Sequence, residues 1–156
     1  MPKVWNQKPS CRINIDVNSH GQPIKDNASI VTHVLGTISR SCKYCPIYLP
    51  WIKVSGEEKQ EMLKHLRTKF VNPEHADTWM LKSIGNKVSN WRARLKNKYW
   101  NSSKSFKKQV KSRPQEMQRD HWKLLVTYWN NERIKELSQK IKKIGPERNL
   151  LNKMYI

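Results

Sequence analysis

Between Pro73 and Trp100 the apolar residues Met80, Ile84, Val88, Trp91, Leu95 and Tyr99 recur at intervals of four, four, three, four and four. Such spacing returns every side chain to one side of a 3.6-residue helix, whereas a strand would scatter them over both faces. The stripe predicts one long helix over about 73–100, buried along one side, and the rest of the fold has to pack around it.

Shorter segments supply the other elements. Ile13, Ile15 and Val17 alternate with polar residues, and Asn18-Ser19-His20-Gly21 brings turn chemistry before Gln22-Pro23-Ile24, so residues 12–24 read as a small β-ribbon. Asn27 is a suitable N-cap for a first helix carrying Val31, Val34, Leu35 and Ile38 and ending near Arg40. Pro46 and Pro50 hold 41–54 extended. Ser55 and Glu58 match the S-x-x-E capping box of a second helix, whose apolar face is Met62, Leu63, Leu66 and Phe70. A fourth helix is expected from Pro114, with Trp122, Leu125, Val126 and Trp129 as its core face. Ile134, Leu137, Ile141 and Ile144 continue it as a heptad-like seam up to Gly145-Pro146. The expected fold is mainly α: a small helical domain of about four helices with a short N-terminal β-ribbon. Its expected bounds are a flexible N-terminus over 1–11, a single basic domain over 12–145 and a short tail over 146–156.

Charge narrows the function. With 31 Lys+Arg against 12 Asp+Glu, the 156-residue chain carries a formal net charge of +19. That excess repels itself in a compact state and calls for an anionic partner. No apolar run is long enough for a membrane span, and the N-terminus lacks the apolar core of a secretory signal. Three cysteines are too few and too odd in number for a disulfide framework, and the single Cys42-x-x-Cys45 pair lacks the second pair that structural zinc needs. Neither a metal nor another cofactor is expected. Seven Trp argue for a folded core, with Trp91, Trp122 and Trp129 on apolar stripes. Trp5, Trp79 and Trp100 lie off them, and Trp100, beside the basic linker, is the one suited to contact nucleic acid.

The cations are clustered. From Thr78 to Gln115 there is no acidic residue, while surface helices ordinarily interleave both signs. Opposite the apolar stripe, the long helix carries Lys82, Asn86, Ser89, Asn90, Ala93 and Asn97, edged by Arg92 and Lys96 on one side and Lys87 and Arg94 on the other. Asn can pair with adenine, and Lys or Arg can read guanine or grip phosphates, so such a face suits a DNA major groove. The following stretch, 101–113, reads as a flexible basic linker in which Lys104, Lys107, Lys108, Lys111 and Arg113 would hold phosphates. DNA is the expected partner, with RNA as the alternative nucleic acid.

These residues also resemble a known family. Gly21-Gln22-Pro23 with Asn27-Ala28, then Arg40, Pro46 and Trp51 with Val54, occur in an order similar to the plant transposases of CACTA-type elements, called Ptta/En/Spm. Lys69-Phe70, Asn90-Trp91-Arg92 with Leu95-Lys96 and Lys98-Tyr99, Trp122-Leu125-Val126 with Tyr128-Trp129, and Glu136-Leu137-Ser138 continue the series, which covers roughly 12–143. The resemblance implies an accessory transposon protein that recognises element DNA, or a host gene or degraded copy descended from one. The polar, Arg- and Gly-rich segment that commonly follows in that family is replaced here by Gly145-Pro146-Glu147 and a short tail.

An enzymatic role is not expected. A transposase nuclease needs two or three carboxylates converging on metal ions. Here Asp16 and Asp26 fall in the ribbon region and most other acids sit beside Lys or Arg; there is also no P-loop. The competing class is a protein-interaction module, a homodimer or a complex formed through Ile134, Leu137, Ile141 and Ile144. The nucleus is the expected compartment, with Lys104–Arg113 as a candidate import signal and the cytoplasm or mitochondrion as alternatives.

Overall fold

The long helix forms as the stripe predicts, as α3 (Ala76–Tyr99), in a computed structural model that describes residue 8 and residues 10–143, with backbone only at 132–134 and 141. Before it come β1 (Ile13–Asn14), β2 (Asp16–Val17), β3 (Pro23–Ile24), α1 (Ala28–Arg40), α2 (Gly56–Arg67) and β4 (Phe70–Val71), with a 3-10 turn at Trp51–Lys53. After it come α4 (Phe106–Lys111), α5 (Arg119–Asn130) and α6 (Glu132–Lys143). The protein is mainly helical, and its short strands lie in the N-terminal half. Two compact units divide the chain. Unit 1 comprises the residues up to Cys45 together with Val54–Lys87, and unit 2 comprises Pro46–Lys53 together with the residues from Val88 on.

In unit 1 the ribbon takes the expected turn. β2 pairs antiparallel with β3, Val17 opposite Pro23, and Asn18 Oδ1 accepts from the backbone N–H groups of His20 and Gln22. Gly21 has φ +76°, and a Cβ there would stand 2.4 Å from the His75 carbonyl oxygen, so glycine is required for both conformation and approach. The sequence pattern did not disclose the second pairing. Ile13 lies opposite Phe70 in a parallel β1–β4 bridge, which β4 makes just beyond the end of α2. Asn27 stands at the N-cap of α1 but does not cap it: its Nδ2 donates to the Asn14 carbonyl, 2.9 Å away, tying helix to ribbon.

α2 begins with the full capping box. Ser55 Oγ accepts from the Glu58 N–H, and Glu58 Oε2 accepts from the Ser55 N–H. Ser55→Ala is expected to destabilise the protein by about 1 kcal/mol in a urea melt, since it removes one of these reciprocal bonds. A midpoint equal to wild type would show the cap to be energetically idle. Val31, Val34, Leu35, Ile38, Met62, Leu63, Leu66, Phe70, Met80 and Ile84 are buried in this unit, as their periodicity requires.

Unit 2 corrects two expectations. The basic stretch after α3 is not a structureless linker, because residues 106–111 form α4, with Ser105 Oγ accepting from the Lys108 N–H at its start. The expected fourth helix is two helices, interrupted at Asn131, whose backbone is extended. Asn130 explains the break: its Nδ2 donates to the Val126 carbonyl and to Gln109 Oε1, so the side chain competes with helix propagation. Trp122, Leu125, Val126 and Trp129 form the buried face of α5. In the seam, Leu137 is half-buried, the side chains of Ile134 and Ile141 lie outside the described residues, and so does Ile144.

Candidate nucleic-acid interface

α3 buries a row slightly rotated from the one its hydrophobicity suggests. Met80, Ile84, Val88, Arg92 and Leu95 are buried, while Trp91 is only half-buried. Positions 91 and 92 differ by about 100° around the axis. Arg92, its guanidinium included, takes the inward place rather than the larger indole. Arg92 therefore leaves the expected DNA-binding surface: it is 2% exposed. Lys96, on the same edge, is half-buried, with its Nζ 5.2 Å from the Trp100 ring centroid.

The opposite row of α3 is exposed. In unit 1 it carries Lys82 and Asn86, with Lys87 half-buried beside them. In unit 2 it carries Asn90, Arg94, Asn97 and Lys98, spaced i, i+4, i+7 and i+8 along one face. Lys98 was not among the expected contacts, although the helical wheel places it beside Arg94. Arg94, Asn97 and Lys98 line a shallow cleft of about 510 Å³ with Trp91, Tyr99 and Glu116.

α4 gives the remaining expected lysines a fixed scaffold. Gln109 is fully buried and acts as its anchor. Its carbonyl accepts from Trp122 Nε1 at 3.1 Å, its Oε1 accepts from Asn130 Nδ2 at 2.6 Å, and its Nε2 donates to the Asn101 carbonyl. Lys107, Lys108 and Lys111 point outward from this anchored helix, with Lys104 in the turn before it. Exposed among them is Phe106, 41% accessible, an aromatic within a basic run that hydrophobic periodicity alone did not single out. Arg113 is exposed but its Nη1 donates to the Met117 carbonyl, which commits part of the guanidinium to the fold. Lys82, Arg94, Lys98, Lys104, Lys107, Lys108 and Lys111 have no carboxylate partner among the described residues.

The Cys-x-x-Cys pair offers a different chemistry. Cys45 is buried in unit 1 with its Sγ 3.8 Å from Met62 Sδ, and burial, with smaller contributions from Cys42 and Glu58, pushes its thiol up to about 12. The thiol stays protonated at neutral pH, the wrong state for a nucleophile or metal ligand. Iodoacetamide at pH 8 is expected to label exposed Cys11 readily and Cys45 only on unfolding. Labelling of both at equal rates in the folded protein would contradict this placement. No family model, curated protein or solved structure matches this chain.

Proposed function

We propose that this chain is a non-enzymatic DNA-binding protein of transposon descent. Unit 2 presents the basic surface, and the nucleus is its proposed compartment. The observation that carries the reading is the acid-free stretch from Thr78 to Gln115, which brings Arg94, Lys98, Lys104, Lys107, Lys108 and Lys111 to exposed positions without carboxylate partners among the described residues. Uncompensated cations of this density attract a polyanion and release its counter-ions on binding. Asn90, Arg94 and Asn97 form a polar row whose side chains carry the donors and acceptors that read base edges in a major groove. The similarity of the ordered motifs to transposon-encoded proteins supports DNA rather than another polyanion.

Binding of the purified chain to a labelled duplex across a salt series tests the proposal. With six to ten phosphate contacts, log K should fall against log salt with a slope of about −0.9 per contact. No binding at 50 mM salt, or a slope near zero, would favour a protein-interaction module. A single-stranded RNA that binds more tightly than the duplex would move the proposal from DNA to RNA.

A further inference from the structure

Among its described residues, unit 2 buries more hydrogen-bond donors in one place than it supplies acceptors for. Arg92 is 2% exposed, yet among the described residues its Nε, Nη1 and Nη2 lack a well-formed hydrogen bond, and so does the buried Nε1 of Trp100. Arg92 and Lys96 stand at i and i+4 in the last turns of α3, and Trp100 follows directly after it with its backbone N–H on the Lys96 carbonyl, so the three lie along one side. The Lys96 ammonium lies over the Trp100 ring, and the Arg92 guanidinium carbon lies 5.0 Å from the Tyr128 ring centroid on α5. No carboxylate pairs with either cation among the described residues.

A buried guanidinium is costly unless it is paired and hydrogen-bonded. Aromatic faces offset part of that cost but accept none of the N–H bonds. Burial lowers the Arg92 pKa, with Tyr128 partly opposing the shift. Burial also lowers that of Lys96, and the positive fields of Lys142, in the last turn of α6, and of Arg92 add to the effect. Apart from Tyr128, whose hydroxyl can accept from the Arg92 guanidinium, the cluster gathers like charge and supplies donors.

We propose that Arg92, Lys96 and Trp100 form a binding site for a phosphate group, with Lys142 at its rim. The ligand class follows from the donor set. Guanidinium, ammonium and indole N–H together offer more donors than the two oxygens of a carboxylate can use, and their charge exceeds its single negative charge. A phosphate dianion brings at least three acceptor oxygens and suits a guanidinium fork. The site is argued from the packing of unit 2 and stands whether or not the chain binds nucleic acid.

Thermal melts of the full chain in millimolar inorganic phosphate, against chloride at equal ionic strength, test the proposal. Wild type should gain roughly 4–8 °C in phosphate, since a ligand that binds only the folded state raises its midpoint. Arg92→Met should melt no lower than wild type in chloride, because it removes an uncompensated buried charge, and should lose the phosphate gain. Lys142→Ala, at an exposed position, should fold normally and show a reduced gain. An equal gain in wild type and Arg92→Met, or none in wild type, would overturn the site, and an equal gain from acetate would overturn the phosphate assignment. Two further arms identify the phosphate's source. If it belongs to a nucleic-acid backbone, saturating duplex abolishes the gain from phosphate and Arg92→Met weakens duplex binding about tenfold. If it is free phosphate or a small phosphorylated molecule, the gain persists with duplex present and both proteins bind duplex alike.

Discussion

Replacing Trp122 with alanine is expected to destabilise the protein by about 3–5 kcal/mol, the usual range for truncating a fully buried aromatic. Trp122 has no exposed surface, makes edge-on contacts with Tyr99 and Trp129 at 6.0 and 5.8 Å, and donates its indole N–H to the Gln109 carbonyl. The substitution removes the ring, opens a cavity between α5 and the end of α3, and takes away the indole donor that ties α5 to the Gln109 carbonyl, which keeps only its local bonds from Ser112. Domain stabilities lie at about 5–15 kcal/mol, so a large fraction of the reserve would go. Trp91→Ala is the comparison: its ring is partly exposed where that of Trp122 is fully buried, and the expected cost is below that of Trp122→Ala. Urea melts of the two variants decide the matter. Equal losses would mean that the buried row of α3 runs through Trp91 after all.

The second large effect separates charge from sequence reading. Neutralising Lys104, Lys107, Lys108 and Lys111 together should weaken binding to every duplex by a similar factor. It should also flatten the salt slope by about 0.9 for each lysine that had held a phosphate. Changing Asn90 or Arg94 to alanine should instead cost about 1–3 kcal/mol on a preferred site and little on random DNA, because base-edge contacts discriminate and phosphate contacts do not. A duplex selected from random sequences, compared with an unselected one, provides the measurement. If the α3 variants weaken both duplexes equally, unit 2 is a charged clamp without base readout. If neither set of changes matters, the basic surface only solvates the protein.

The sequence is legible where a segment's own chemistry decides its structure. The apolar periodicity of 80–99 gave α3, Ser55 and Glu58 gave the start of α2, and Asn18 to Gly21 gave the ribbon turn. Features that depend on distant partners were less legible. The β1–β4 bridge has no alternating pattern long enough to announce it, and α4 is too short for its apolar spacing to show. Gln109 looks like one more polar residue in a basic run until Trp122 and Asn130 are seen to converge on it. The rotation of α3 that buries Arg92 rests on a choice between two adjacent side chains, and hydrophobicity favoured the other.

The parallel bridge between β1 and β4 bears on how the chain acquires its structure. Arg12 reaches the carbonyl of Arg67 across a separation of 55 residues, and the neighbouring pairing of Ile13 with Phe70 spans a similar distance. Closing a loop that long costs chain entropy before any contact returns it, so such pairings form late in folding. During synthesis the N-terminal strand has no partner until Phe70 and Val71 have left the ribosome. Exposed Cys11 and the residues of β1 therefore spend that interval as an unpaired edge.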